Sequence, residues 1–288
     1  MKGIIAGIIS AITWGTVFIS GQFAVKKGTH PVLLSFIRFL SASVFLFVYL
    51  SFKKVKLRID KSDIFSFFIL GLTGIFLMNI FIFYSVKFTT STSASVLMNS
   101  NSFFIGILAF FLLKEKIRVN EILGVLIGFL GCFFIITSGK ISFNSSLIGN
   151  LLALFAAISW AFYSVWGKKC GVIKKYGAVL STFWASVFGT ILLFLSLIVF
   201  QLPFSGGKAG VITGIYLGIV PAGIGFTLWF YAINKIKTII AGILQFIAPL
   251  ITGIIAVIWF GEKISFFIYL GGFLTALGVL ISIKSVKD

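Results

Sequence analysis

An internal repeat constrains this chain more than any other feature of its sequence. Residues 94–116 read ASVLMNSNSFFIGILAFFLLKEK, and residues 241–263, which lie 147 positions later, read AGILQFIAPLITGIIAVIWFGEK. Identical pairs at this offset include Gly71 and Gly218, Phe83 and Phe230, Tyr84 and Tyr231, Glu115 and Glu262, and Gly131 and Gly278. The sequence therefore predicts two copies of one structural unit, residues 1–141 and 142–288.

Long apolar segments indicate that the chain is a membrane protein. Hydrophobic residues make up 59% of its 288 residues, and charged residues make up only 10%. A helix of about 20 apolar residues crosses a bilayer core about 30 Å thick, and ten such segments follow one another. Their approximate bounds are 4–25, 32–52, 64–86, 92–113, 120–138, 148–167, 177–201, 210–232, 238–260 and 264–283. Each unit has five segments, an odd number, so we expect an all-α integral membrane protein whose ten transmembrane helices form two inverted five-helix repeats.

The positive charges indicate the orientation of the chain. The sequence has 24 lysines and arginines against 6 acids, and its formal net charge is +18. These basic residues lie between the apolar segments and form no single patch, which argues against a nucleic-acid partner. Seventeen fall at the two termini and in the loops on their side, whereas six fall on the opposite side. Basic loops stay in the cytoplasm, so we expect a multi-pass protein of the cell (inner) membrane with both termini cytoplasmic.

Two tryptophans occupy equivalent positions in the two units. Trp14 ends the tetrapeptide AITW, Trp160 ends AISW 146 positions later, and Tyr163 shares a helical face with Trp160. Tryptophan in the middle of a transmembrane helix is less usual than tryptophan at the membrane interface. These side chains either fill contacts between helices or face a central path and stack on a bound solute.

Arg38 places a charge inside the second apolar segment, roughly two helical turns from its start. A charge at this depth is costly. Its side chain either reaches the outer head groups or helix carbonyls, or it guards the outer mouth of a path and attracts a carboxylate.

Among the amides in the apolar segments, three are candidates for the path: Asn79 in the third, Asn99 in the fourth and Gln245 in the ninth. An amide in such a helix must find a hydrogen-bond partner, which is either another helix or a bound solute. Phe83 shares a face with Asn79, and Phe226 lies on the matching face of the eighth segment.

Two prolines are expected to bend their helices. Pro221 lies in the eighth segment and Pro249 in the ninth. Proline removes a backbone donor and kinks a helix, and carbonyls freed in this way need a protein-lined or wet environment. Such helices are expected to move or to line a cavity.

Enzyme motifs are missing from the sequence. It has no P-loop, no paired metal ligands, no nucleophile beside a base and no dinucleotide-binding glycines. All six acids lie in loops or at the ends of segments: Asp60, Asp63, Glu115, Glu121, Glu262 and Asp288. We therefore expect no enzyme activity, no cofactor and no metal site.

Together these features resemble the drug/metabolite transporter superfamily, in its EamA-type branch. The resemblance covers the whole chain. It rests on ten segments in two halves, the early tryptophan of each half, Arg38, the Phe-Tyr pairs at 83–84 and 230–231, and the Lys-Glu-Lys and Gly-Glu-Lys ends at 114–116 and 261–263. It implies alternating-access transport of small organic metabolites, most specifically export of an amino acid or a related metabolite. The family often has proline in both copies of the fourth helix, but here Ser102 stands opposite Pro249.

The resemblance also implies that helices 1, 3, 4, 6, 8 and 9 enclose the path. The candidate substrate-binding residues on them are Trp14, Asn79, Phe83, Asn99, Trp160, Tyr163, Phe226 and Gln245, and the candidate gating or structural residues are Arg38, Pro221 and Pro249. An aromatic pocket with a few amides suits neutral or zwitterionic solutes with an apolar part. The expected partners are a small-molecule substrate and the lipid bilayer, and the chain is a monomer or a homodimer. The alternatives are an exporter of drugs, quaternary cations or lipids, and a non-transporting receptor or scaffold.

Overall fold

The fold is a bundle of ten helical spans. The computed structural model describes residues 1–89, 91–137, 146–260 and 266–287. Within these ranges every regular element is helical, no strand occurs, and ten spans are long and apolar enough to cross a membrane. The prediction of an all-α fold with ten transmembrane helices is confirmed. The predicted boundary between residues 141 and 142 lies outside the described residues, as does the motif at 261–263.

Five spans are assigned as one helix each, and five contain a break or an irregular stretch. The first group is span 2 (Pro31–Phe52), span 5 (Val119–Thr137), span 6 (Leu147–Lys169), span 7 (Val172–Val199) and span 10 (Phe266–Lys287). Span 7 is nonetheless kinked at Gly177, whose φ of 81° and ψ of 163° are not helical. The second group is span 1 (Lys2–Gly15 and Val17–Lys26), span 3 (Lys61–Leu70, Gly71–Leu77 and Met78–Phe88), span 4 (Ser91–Asn99 and Asn101–Leu113), span 8 (Gly207–Leu217, Gly218–Gly225 and Phe226–Lys235) and span 9 (Thr238–Leu244 and Ile247–Phe260).

Spans 3 and 8 contain matching irregular stretches. Residues Gly71–Leu77 and Gly218–Gly225 are π-helical, and they begin 147 positions apart, at the offset of the repeat. The second stretch contains Pro221, which cannot donate a backbone hydrogen bond, so the predicted distortion of span 8 is present. The first stretch has no proline. There, Gly74 lets the ring of Tyr163 lie directly against the backbone.

Span 9 breaks at the residue that Pro249 affects. Its first helix ends at Leu244 and its second begins at Ile247. Proline clashes with the carbonyl four residues before it in a regular helix, and that residue is Gln245. The predicted kink is therefore present, and it places Gln245 in the break.

Span 4 breaks at Ser100 although it has no proline. Three successive side chains donate to carbonyls of the preceding turn, and these bonds compete with helical backbone pairing. They are Asn99 to Ser95 (2.8 Å), Ser100 to Leu97 (2.5 Å) and Asn101 to Met98 (2.8 Å). Polar side chains thus produce in one repeat the break that proline produces in the other.

Glycines bring spans 5 and 10 into close contact. A side-chain carbon at Gly131 would lie 2.6 Å from the carbonyl oxygen of Gly271, and one at Gly278 would lie 2.6 Å from the backbone nitrogen of Gly128. Only a residue without a side chain fits at such distances. The two spans, which are equivalent in the repeat, therefore pack against each other within one chain.

The two repeats share one hydrophobic core. The largest cluster of buried side chains includes Phe39 and Phe67 from the first repeat and Trp160, Leu193 and Phe226 from the second. Neither repeat therefore buries its apolar surface alone, and the centre of the bundle is built from both.

Ion pairs join the loops at one end of the bundle. In the described part of the chain these pairs are Lys168–Glu115 (2.8 Å), Lys237–Glu121 (2.7 Å), Lys175–Asp60 (2.6 Å) and Lys175–Asp63 (2.6 Å). Their residues lie in the connections that follow spans 2, 4, 6 and 8 or at the helix ends beside them. This is the end that the lysine and arginine distribution predicts to be cytoplasmic.

One of these ion pairs joins spans 4, 6 and 9. The Glu115 carboxylate accepts hydrogen bonds from Lys168 Nζ (2.8 Å), from the backbone N–H of Thr238 (2.9 and 3.1 Å) and from Thr238 Oγ1 (2.9 Å). It caps the first turn of span 9, where a negative charge is favourable. We refer to Glu115, Lys168 and Thr238 as the latch.

Candidate functional site

Aromatic side chains from both repeats meet at the centre of the bundle. Trp14 and Trp160, the equivalent tryptophans of the two repeats, have ring centroids 5.1 Å apart in an edge-to-face arrangement. Phe226 lies 5.8 Å from Trp14, 5.2 Å from Trp160 and 5.9 Å from Tyr163. We define the aromatic cluster by its residues, which are Trp14, Trp160, Tyr163, Phe226, Trp229 and Phe230.

The indole nitrogens of the cluster are held by hydrogen bonds. Trp14 Nε1 donates to the carbonyl of Pro221 (3.1 Å), and Trp160 Nε1 donates to Gln245 Oε1 (2.9 Å). Ser10 donates in the same way to the carbonyl of Gly225 (2.8 Å). Buried tryptophan needs such a partner. Two carbonyls of the π-helical stretch in span 8 are therefore bonded by side chains of span 1, while the break in span 9 supplies the partner of Trp160.

Two buried polar atoms of residues in or beside the cluster have no hydrogen-bond partner among the described residues. Tyr163 Oη and Gln245 Nε2 are buried, and neither has a hydrogen-bond partner in the protein. Tyr163 is fully buried and Gln245 is 7% exposed. An unpaired buried polar group costs about 1–3 kcal/mol, so a solute that bonds to these atoms would recover that cost.

Arg38 reaches the same region from span 2. Its guanidinium carbon lies 4.9 Å from the ring centroid of Phe39 and 5.8 Å from that of Phe226, which belongs to the aromatic cluster. The residue is 8% exposed, and its Nε has no hydrogen-bond partner. Within the described ranges no carboxylate forms an ion pair with it.

The other predicted residues stand apart from the cluster or are satisfied within the protein. Asn79 Nδ2 donates to the carbonyl of Ile75 (2.6 Å), and Asn79 Oδ1 accepts from Ser35 (3.3 Å). Asn99 bonds within its own helix. Phe83 is half-buried and has no ring contact with the cluster among the described side chains. The structure therefore brings together Trp14, Trp160, Tyr163, Phe226, Gln245 and Arg38.

Sequence reasoning missed Trp229. This residue is fully buried, its ring lies 5.5 Å from Trp14 and 5.8 Å from Trp160, and its Nε1 donates to Ser164 Oγ (3.1 Å). The equivalent residue of the first repeat is Ile82, so the repeat does not pair Trp229 with a second tryptophan as it pairs Trp14 with Trp160. Its position three residues after Phe226, on the same helical face, could have revealed it.

A family model and several relatives resemble the chain over nearly its whole length. The model of the EamA-like transporter family matches residues 1–137 and 147–284. An "Uncharacterized transporter" of Archaeoglobus fulgidus is 29% identical over 95% of this chain and 94% of its own length. The "Uncharacterized transporter YoaV" of Bacillus subtilis is 28% identical over 98% and 97%.

A more distant relative and a solved structure complete the comparison. The "Probable amino-acid metabolite efflux pump" of Escherichia coli is 22% identical over 99% of this chain and 95% of its own length. A crystal structure of a protein with 19% identity superposes with a TM-score of 0.86 and covers 100% of this chain and 99% of the other. That likeness supports the ten-helix fold.

Proposed function

Because this chain belongs to the EamA-like transporter family, we propose that it exports an amino acid or a related small metabolite by alternating access. The observation that supports this substrate most directly is the aromatic cluster with the unpaired Tyr163 Oη and Gln245 Nε2. Binding sites for small organic molecules combine apolar walls with a few polar groups that orient the ligand. Membership of a transporter family sets aside the receptor or scaffold alternative, and we propose no enzyme activity.

The contact between Trp14 and Trp160 supports a site between the repeats. One tryptophan comes from each repeat, and their rings touch where the shared core lies. In transporters built from inverted repeats, the substrate site lies near the bilayer midplane between the repeats, and rocking of one against the other exposes it to each side in turn. The irregular stretches of spans 3 and 8 would permit such bending.

Export of a drug or of a quaternary cation is the second candidate. Aromatic rings bind quaternary ammonium groups, and this favours the alternative. Against it, the acids of the described residues all lie at the end of the bundle that carries the latch, whereas Arg38 adds a positive charge beside Phe226. A cation would be repelled there, so the amino acid is the better candidate.

Exchange assays with purified protein in liposomes test the proposal. Liposomes loaded with one unlabelled amino acid are diluted into the same labelled amino acid, in turn for aromatic, aliphatic and polar examples, and label entry is followed. We expect exchange of at least one amino acid. Its absence for all of them, together with exchange of a quaternary cation, would favour the second candidate.

Trp160→Ala tests whether the cluster binds the solute. Loss of ring stacking worth about 1 kcal/mol should raise the KM for exchange about fivefold. Trp184→Ala is the matched control, because Trp184 packs against Phe183 and Phe188 and bonds to the carbonyl of Leu57, away from the cluster. An unchanged KM in Trp160→Ala would reduce Trp160 to a packing residue.

A further inference from the structure

We propose that Arg38 binds the carboxylate of the transported solute, so that the substrates are organic acids or zwitterions with an apolar remainder. This inference rests on the proposed transport function and names the chemical class of its substrate. Three observations on Arg38 support it.

The first observation is that Arg38 is buried without a counter-ion. A charge inside a membrane protein is costly unless it is paired. Asp60, Asp63, Glu115 and Glu121 are each paired with a lysine at the end of the bundle that carries the latch. No acid of the described ranges is therefore available to Arg38, and a mobile anion would complete the pair.

The second observation is the geometry of the guanidinium group. It is held over the rings of Phe39 and Phe226, at 4.9 Å and 5.8 Å from their centroids. A guanidinium held against aromatic rings loses little freedom on binding, and its planar fork of N–H donors matches both oxygens of a carboxylate. Arg38 is thus pre-organised as an anion receptor.

The third observation is that Arg38 and the residues that carry the unpaired polar atoms contact the same aromatic cluster. The Phe226 ring centroid lies 5.8 Å from the Arg38 guanidinium carbon, 5.2 Å from the Trp160 ring and 5.9 Å from the Tyr163 ring. Trp160 in turn holds Gln245. A solute whose carboxylate lies on Arg38 would therefore place its apolar part against the aromatic cluster and its other polar group near Tyr163 Oη or Gln245 Nε2.

Thermal unfolding of the purified protein with matched compounds provides the test. The probes are phenylalanine, leucine and methionine, the acids that lack the amino group of each, and the amines that lack the carboxylate. We expect at least one amino acid and its deaminated acid to stabilise the wild type, and the corresponding amine to have no effect. Stabilisation by amines alone, or by none of the acids, would overturn the proposal.

Arg38→Met removes the charge and keeps an apolar stem of similar shape. Because hydrogen bonds to charged groups are strong, affinity for the stabilising acid should fall about 10-fold to about 100-fold. Arg38→Lys should retain part of it, because lysine keeps the charge but not the fork. Arg58→Met is the matched control, since Arg58 is exposed in the loop after span 2. Equal affinity in Arg38→Met and the wild type would overturn the role of Arg38.

A structural role is separated by the unfolding temperature without ligand. If Arg38 has no partner until a solute binds, Arg38→Met should unfold at the same or a higher temperature than the ligand-free wild type, because an unpaired buried charge has been removed. If instead Arg38→Met and Glu262→Gln both lower that temperature and abolish binding, Glu262 is the counter-ion and the proposal is wrong. Amino-acid exchange that is equal in Arg38→Met and the wild type would leave the transport function intact while refuting this inference. Carboxylate binding through Arg38 without amino-acid exchange would support this inference and contradict the proposed transport function.

Discussion

The partial burial of the latch sets how much its ion pair contributes to the free energy of unfolding. Glu115 is 11% exposed and Lys168 is 26% exposed, so neither charge is fully hydrated. Glu115→Gln removes the negative charge and one of the two oxygens that accept from Thr238 and Lys168. Breaking a fully buried ion pair costs about 3–5 kcal/mol. Because water reaches Lys168 and the amide keeps one acceptor, we expect a loss of about 2 kcal/mol in unfolding free energy.

Thermal unfolding in detergent, followed by tryptophan fluorescence, measures this loss. For a chain of this size, with an unfolding entropy of about 2.1 cal/mol/K per residue, about 2 kcal/mol corresponds to a decrease in Tm of about 3 °C. Lys168→Met should have a similar effect, and the double variant should lose less than the sum of the two, because the residues act on each other. The matched control is Asp60→Asn, whose carboxylate is 62% exposed and pairs with Lys175 in water. Its Tm should equal that of the wild type, because exposed ion pairs contribute little.

Two results would refute this reasoning. If Glu115→Gln unfolds at the temperature of Asp60→Asn, partial burial does not strengthen the pair. If the effects of Glu115→Gln and Lys168→Met simply add, the 2.8 Å contact between them carries no interaction energy.

Two further predictions concern orientation and energy coupling. A single cysteine introduced at Asn144 in a protein without other cysteines should react with an impermeant thiol reagent on intact cells, whereas one at Asp288 should not, because the basic loops orient the chain; the opposite pattern would invert the topology. An imposed pH gradient should change neither the extent of substrate accumulation nor its final distribution in liposomes, because no acid or histidine lies inside a span, away from its ends, in the sequence. Uphill accumulation driven by that gradient and abolished by an ionophore would contradict this prediction and point to Glu115, Glu262 or His30 as the proton carrier.

The arrangement of the spans could be predicted from the sequence because two independent patterns agree. Apolar segments of membrane-crossing length define ten helices, and the repeat relates them in two sets of five. Burial against lipid imposes the apolar segments, and a duplication accounts for the repeat. The equivalence of Trp14 and Trp160 followed from the same alignment, and the structure places these two rings in contact.

Local geometry and side-chain pairing were harder to predict. The break at Ser100 occurs without a proline. It depends on three side chains that each donate a hydrogen bond to a backbone carbonyl. Asn79 was expected to form hydrogen bonds with another helix or with a solute. Its side chain donates to a carbonyl of its own helix and accepts from Ser35 of span 2. Such choices depend on which helices become neighbours, and a single sequence does not encode that in its periodicity.

The π-helical stretches carry a record of how the gene arose. A π-helical turn holds more residues than an α-helical turn, and the two stretches begin at corresponding positions, Gly71 and Gly218, although only the second contains proline. Separate origins would require the same irregularity to arise twice at one register in two copies that had already diverged. A single origin before the duplication requires one event. On this account the ancestor would be a five-span protein that already carried the irregular turn. If the odd number of spans inverts the second copy, as the sequence predicts, the ancestral sequence would have had to tolerate insertion into the membrane in either direction.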